Sequence, residues 1–388
     1  MDARAFHERV EQVLPDIARR AEEAEQLRRV PEASIAAIRE AGLLKSLQPR
    51  RYGGFELDPI EHYRASARIG EVCGSTSWVF GILGVHPWQL ALFPDEAQAE
   101  VWSEDDTTLT ASTYAPIGTV TRAEGGFRLS GQWPWSSGSD HCQWVMLGGI
   151  DRSDPERLDM RTFLLPRSDY EVIDTWHAAG LKGTGTNDIR VEDAFVPEHR
   201  TLSFADTSLC DCPGNAVNPN TIYRLPFASV FSTAIAASAL GIARGALNEF
   251  REVLSKRFKI AFGEVARDDP HSQVKLARAT SILDAGWLQL DRNISELTAS
   301  VARGEPAENL PRARLRHDQA YAVSRAIEAI DEAFDASGGG SLHSSHPLQR
   351  FWRDLHGARH HAINEYERAA TMYGQALLGM DIGQQPML

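Results

Sequence analysis

Cysteine is scarce: the 388-residue chain holds only Cys73, Cys142, Cys210 and Cys212. Four thiols make no disulfide framework at this length. Cys210 and Cys212 stand as C-x-C, without the C-x-x-C spacing of redox and zinc motifs. Positive charge is also short, with 40 Lys+Arg against 53 Asp+Glu for a net −13. That balance argues against nucleic acid, which needs a basic face. No G-x-G-x-x-G opens a helix after a strand; the nearest match, Gly183-Thr184-Gly185-Thr186, lies between β-like segments. Walker, H-E-x-x-H and G-x-S-x-G sequences are missing too. A chain without a nicotinamide-binding unit must receive reducing equivalents from elsewhere. His356 and His360 are spaced i, i+4, but no matching carboxylate–histidine set accompanies them, so no metal site is expected. The longest uncharged stretch of the second half, Ser229 to Ala243, is too short and too rich in small residues to span a bilayer. It reads as a buried helix, with no membrane as partner. Met1-Asp2-Ala3-Arg4 leads straight into a charged helical pattern without a secretory signal, so a reducing cytoplasmic setting is the expectation.

What is present is ordinary globular material, 43% hydrophobic and 24% charged, enough for two or three packed subdomains. Helical periodicity runs from Ala5 to Val30, then from Pro31 to Gly42. Gln48 to Phe55 is a loop. Helical runs return over Asp58–Cys73, Ser75–Leu92 and from Pro94 to Trp102. From Thr107 the texture changes to short β-prone segments punctuated by Gly, Pro and Asp, which suggests a compact antiparallel β domain. Residues 206–220 form an irregular connection. Long amphipathic runs follow over Phe227–Lys259, Ser272–Ala302, Arg312–Ala336 and Leu348–Leu378. The expected organisation is α+β: an N-terminal helical domain (1–107), a middle β domain (108–205), a connecting loop (206–222) and a C-terminal helical bundle (223–388).

Several segments resemble one family, in order, along nearly the whole chain. Trp133-Pro134-Trp135-Ser136-Ser137-Gly138 resembles the W-x-[ST] signature of acyl-CoA dehydrogenases, and Tyr114-Ala115-Pro116 looks like their T-E-P loop. Gly180-Leu181-Lys182-Gly183-Thr184-Gly185-Thr186, Ser337 to Gly340 and Arg350-Phe351-Trp352-Arg353-Asp354 are similar to later motifs of that fold. Cys73-Gly74-Ser75-Thr76-Ser77-Trp78, Gly84-Val85-His86-Pro87-Trp88 and Ser136 to His141 resemble one branch, the two-component flavin hydroxylases. Within it the nearest look is the phenol-hydroxylating oxygenases of bacterial steroid-ring degradation. Polyketide hydroxylases and dibenzothiophene monooxygenases stand further off. The dehydrogenases' Y-E-G-T segment is missing. Its carboxylate position falls on Ile363, and the hydroxylases' histidine aligns with His361.

The resemblance implies a homotetrameric oxygenase component supplied with reduced FMN, or FADH2, by a separate NAD(P)H:flavin reductase. O2 is the co-substrate, and a C4a-hydroperoxyflavin hydroxylates a phenolic or polycyclic aromatic substrate. Three residues are expected to be catalytic. His361, on a C-terminal helix, would take the phenol's proton; Ser137 would meet flavin N5; His86, at a helix break made by Pro87, would touch the substrate oxygen or hold the hydroperoxide. Trp88 and Tyr114 join His86 and His361 as substrate contacts. Tyr114, Ala115 and Pro116 would offer backbone to the isoalloxazine edge, with Trp135 and Ser136 flanking it. Arg257 would reach flavin phosphate from an adjoining subunit, and Gly339 would let backbone approach the cofactor. Arg257 departs from the dehydrogenase R-x-x-F-G spacing, since Phe262-Gly263 comes later. Each residue has a bland alternative: a helix-terminal histidine, a turn serine, a core aromatic, a solvated basic face. Three other readings compete: an acyl-CoA dehydrogenase with Glu365 as a displaced base, an N- or S-oxygenating enzyme, and a scaffold without cofactor.

Overall fold

The computed structural model describes residues 1–154, 158–260 and 263–383. Six helices come first: α1 (Ala3–Arg19), α2 (Ala21–Leu27), α3 (Glu32–Glu40), α4 (Pro59–Gly70), α5 (Gly74–Leu90) and α6 (Asp95–Trp102). The Asp2 side chain caps α1 by accepting the Ala5 N–H at 2.8 Å, and Phe6, Val10, Val13, Leu14 and Ile17 bury one stripe. The single run expected from Ala5 to Val30 bends at Arg20 instead, which seats α2 against the turn Lys182–Thr184. Helix α5 is buried on every side and continues through Pro87 to Leu90. The break expected beside His86 is therefore not there; the proline only deprives the Leu83 carbonyl of its helical donor.

A seven-stranded sheet follows, built from β1 (Thr110–Ala123), β2 (Gly126–Ser136), β3 (Trp144–Asp151), β4 (Asp159–Pro166), β5 (Glu171–Ile173), β6 (Asn187–Pro197) and β7 (Thr201–Ser203). Its order is β5-β6-β2-β1-β3-β4-β7. The expectation of a purely antiparallel domain needs correction, because β1 and β3 are parallel. After the β1–β2 hairpin, the chain returns on the far side of β1 and β3 runs in the direction of β1. The register of β1 with β3 shifts between Thr113 and Gly118, and its pairing with β2 begins at Thr119. Tyr114 to Ile117 thus stand outside both ladders.

The connection after the sheet holds a short helix, α7 (Phe204–Leu209), and two 3-10 turns. Then come α8 (Phe227–Lys256), a small hairpin of β8 (Phe258–Lys259) and β9 (Glu264–Val265), and α9 (Pro270–Ala302) and α10 (Asn309–Ser337). Helix α8 is longer than its uncharged stretch implied, and by length and composition it passes for a membrane span. Burial assigns it otherwise: 89% of that window is enclosed by protein, and α4, α5, α9, α10 and a further helix, α11 (Pro347–Arg359), pack around it. Gly241 makes the α4 contact possible, since a Cβ there would lie 2.3 Å from the Ala67 carbonyl oxygen. All four cysteines are free; Cys73, Cys142 and Cys212 are buried and Cys210 half-buried, and burial raises each thiol's pKa.

The run Leu348–Leu378 is not one helix but α11 (Pro347–Arg359), a 3-10 turn at Ala362–Asn364 and α12 (Tyr366–Leu377). Side chains make the break. His361 Nδ1 accepts the Ile363 N–H at 3.2 Å, and Asn364 Nδ2 donates to the Ala358 carbonyl at 2.8 Å. Such local bonds offer the backbone an alternative to the helix ladder.

Candidate active site

Past the end of β2, Ser137 is buried beside α5 and the loop before β6. The Trp78 indole N–H donates to Ser137 Oγ at 3.2 Å, and Thr186 Oγ1 lies 2.8 Å from the same oxygen. Thr184 Oγ1 is 2.6 Å from Thr186 Oγ1 and donates to the Leu181 carbonyl at 2.8 Å. An indole nitrogen only donates, a carbonyl only accepts, and each hydroxyl carries one proton. The chain therefore has one direction, from Trp78 through Ser137, Thr186 and Thr184 to Leu181. Ser137 spends its proton on Thr186 and keeps a lone pair, an acceptor for an N–H group of a ligand.

Helix α11 holds the far end of this chain. The Asp354 carboxylate accepts the Leu181 N–H at 2.6 Å, and Gly183 N–H donates to Ser75 Oγ of α5 at 3.1 Å. Gly180 lies so close that a Cβ would fall 1.9 Å from the Arg353 carbonyl oxygen. Burial pushes the Asp354 pKa up from 3.8 to about 6, against the lowering effect of the Leu181 bond. A carboxyl group raised in the folded state supports folding fully below the unfolded value and loses that support as pH rises through about 6. The cost at neutral pH is on the order of 3 kcal/mol. Asp354→Asn keeps an acceptor for Leu181 and removes the charge. The stability difference, variant minus parent, should climb between pH 4 and 6 and then level off. Urea unfolding of both proteins across that window checks it, and a flat difference would refute it.

His361 stands opposite, in extended backbone between α11 and α12 and not on a helix as expected, because it caps the turn that breaks the helix. Its ring meets Trp78 edge-on at 5.7 Å and tilts toward Phe231 of α8 at 6.2 Å. Burial, helped by the Arg316 charge, lowers its pKa to about 4, so the ring is neutral near pH 7. With Nδ1 accepting from Ile363, the proton of the neutral ring sits on Nε2. This imidazole presents a donor. Ile363 is buried, while Glu365 is half exposed and pairs with Arg368 at 3.6 Å. No carboxylate enters from this turn.

Tyr114 closes an aromatic wall, edge-on to Phe204, Phe227 and Phe231 at 5.2–6.1 Å, with its hydroxyl on Gln89. His86 and Trp88 lie behind it. The ring nitrogens of His86 are taken by the Thr110 carbonyl and, at 2.8 Å, by Ser112 Oγ, and burial lowers its pKa to about 4. Trp88 is fully buried, donates to the Ile222 carbonyl at 2.7 Å and stacks on Phe227. Neither has an atom free for a substrate oxygen. His86 braces β1 and Trp88 braces the turn at Ile222 against α8, where contact roles were expected of them.

The cofactor residues fall in two places. Trp135 is 67% exposed with φ of +68°, a strained setting for a bulky residue. Ser136 Oγ, Ser139 Oγ and His141 Nε2 are buried without partners among the described residues. Beside them, Ala115 and Pro116 lie on the unpaired stretch of β1. An exposed strained aromatic, unpaired backbone and orphaned polar atoms fit a planar heteroaromatic group that completes their bonding. Arg257 and Gly339 share a different cleft of about 510 Å³ with Lys259, His271 and Lys275. Arg257 donates to the Ala336 carbonyl at 2.9 Å and packs on Gly338; Phe262 lies outside the described residues. Trp78, Phe231, Thr186 and Asp354 went unnamed as site residues in the sequence. Three of them lay inside the motif segments, but an all-round buried helix and a glycine-rich loop give no periodicity to single them out.

Two family models match the chain: the acyl-CoA dehydrogenase N-terminal domain over residues 2–105 and its C-terminal domain over residues 233–366. These define the fold. The flavin-dependent monooxygenase oxygenase subunit HsaA of Rhodococcus jostii (strain RHA1) is 44% identical over 97% of this chain and 98% of its own length. The oxygenase component of the FADH(2)-dependent resorcinol hydroxylase of Rhizobium sp. (strain MTP-10005) is 34% identical, covering 93% of this chain and 91% of the relative. The crystal structure of the HsaA monooxygenase from M. tuberculosis superposes with a TM-score of 0.95 at 41% identity, covering 99% of this chain and 100% of that one. The chain belongs to the oxygenase components of two-component flavin-dependent hydroxylases, which take reduced flavin from a separate reductase.

Proposed function

We propose that this oxygenase hydroxylates a phenol at the site walled by Trp78, Phe231, Tyr114 and His361. Bound reduced flavin supplies the electrons that activate O2 and let one oxygen atom reach the substrate. Trp135, Ser136, Ala115 and Pro116 hold its ring system, and Ser137 accepts the flavin N–H with its remaining lone pair. The aromatic wall excludes water. The observation that carries the reading is His361, a neutral donor walled by Trp78 and Phe231, while the dehydrogenase carboxylate position holds the apolar Ile363. Donation from Nε2 holds the substrate oxygen as phenolate, which makes the ring carbons nucleophilic. This replaces the expected role as proton acceptor, because Nδ1 is committed to the turn. Arg257 and Gly339 take the flavin phosphate in the second cleft, from an adjoining protomer of a homotetramer in the cytoplasm. Reduced FMN is the proposed form, with FADH2 the form named for the resorcinol relative.

The test is anaerobic titration with FMNH2 and FADH2, followed by 18O2 in the presence of a phenol panel. One labelled atom should enter a phenolic ring, and only with added reduced flavin. Oxidation of an acyl-CoA, or oxygen transfer confined to sulfur or nitrogen compounds, would overturn the phenol reading.

A further inference from the structure

Helix α10 passes the His361 turn with an arginine that the reaction as described leaves idle. Arg316 is only 7% exposed, yet among the described residues it makes no ion pair or hydrogen bond, and its Nη1 is fully buried without a partner. A buried guanidinium normally pairs, because desolvating a charge without compensation is costly. Two titratable groups act on it. Glu365 is drawn outward to Arg368, and His361 is neutral and itself pushed down by the arginine's charge. Burial lowers Arg316 to about 10, which leaves it charged at neutral pH.

The surroundings are unfinished in the same way. Gln319, one turn along the same face of α10, donates to Thr233 Oγ1 at 2.6 Å but leaves Oε1 buried and unpartnered. On the turn that packs against α10, Asn364 Oδ1 is likewise an orphan. A buried guanidinium without a partner does not describe a finished core. It is a donor that lacks an anionic acceptor, whereas the two amide oxygens only accept and call for N–H or O–H donors of their own.

We propose that Arg316 is a substrate-binding residue, whose guanidinium pairs with the ionised oxygen of the phenol that His361 Nε2–H also donates to. The inference rests on the phenol reading above and deepens it. Binding takes the phenolate from solution and leaves the proton in water, so no group of the protein has to store it. Two donors on one oxygen, one of them charged, select the ionised form and orient it in the plane of the guanidinium.

The test needs no flavin. 4-Nitrophenol changes colour on ionisation, so its protonation state can be read while bound, between pH 5 and 9. On the wild-type protein its ionisation midpoint should fall at least one pH unit below that of the free compound. Arg316→Gln should return the midpoint to the free value or above, and Arg316→Lys should keep part of the fall. An unshifted midpoint on the wild type overturns the inference and needs no folded variant; so does a midpoint that Arg316→Gln leaves in place. If 4-nitrophenol fails to bind the wild-type protein at all, the phenol reading falls with it, which separates the two failures.

Discussion

Replacing His361 by Phe is expected to lower phenol hydroxylation about 10²-fold while O2 consumption with added reduced flavin continues, its product diverted to H2O2. The variant keeps an aromatic ring against Trp78 and Phe231, so the wall survives. What it loses is the Nε2–H donor and the cap on Ile363. A positioned donor to a developing or resident oxyanion is worth about 10²–10³ in rate, which sets the magnitude. The pH profile is the second readout. A histidine held at about 4 stays neutral far into the acid range, so the wild-type rate should show no acid limb from this ring near pH 6.5. An acid limb there that vanishes in the variant would return His361 to the role of proton acceptor. Equal hydroxylation by both proteins would remove it from the reaction.

Ser137→Ala should break coupling more than rate, with product formed per O2 falling roughly tenfold and H2O2 rising to match, as one lost hydrogen bond of about 1.4 kcal/mol implies. The direction of the hydroxyl chain sharpens this expectation. Ser137 faces its ligand as an acceptor only while Thr186 takes its proton. Thr186→Val keeps the shape and frees that proton, so Ser137 is no longer fixed as an acceptor. Coupling should fall in Thr186→Val as well, through the lost direction at Ser137. Quantifying product, O2 and peroxide together checks both variants. Unchanged coupling in Ser137→Ala would assign the serine to an ordinary turn.

How much of this was legible beforehand differs by element. The helical ends followed from periodicity, since Phe6 to Ile17 on α1 recur at helical spacing, and the β-rich middle from short β-prone runs punctuated by Gly, Pro and Asp rather than from alternation, because β3 and β4 are buried almost throughout. The break after Arg359 was not legible, because neither Gly nor Pro marks it; two side chains, His361 and Asn364, do the work of a stop signal. That same break turns His361 from a helix-face residue into a site residue. Pro87 misled in the opposite sense, as a helix enclosed by α4, α8 and the sheet tolerates one missing N–H. Arg316 is hidden for a different reason. On a long amphipathic helix with many charges, an arginine reads as solvated surface, and only packing against the His361 turn shows that it is not.

The burial of the thiols bears on how long such a catalyst lasts. Uncoupled turnover releases peroxide next to the protein that made it, and peroxide attacks thiolates. Cys73, Cys142 and Cys212 stay protonated at physiological pH and are screened from water by surrounding side chains. The chain is thus poorly supplied with thiol targets for its own by-product, and Cys210 is the most accessible of the four.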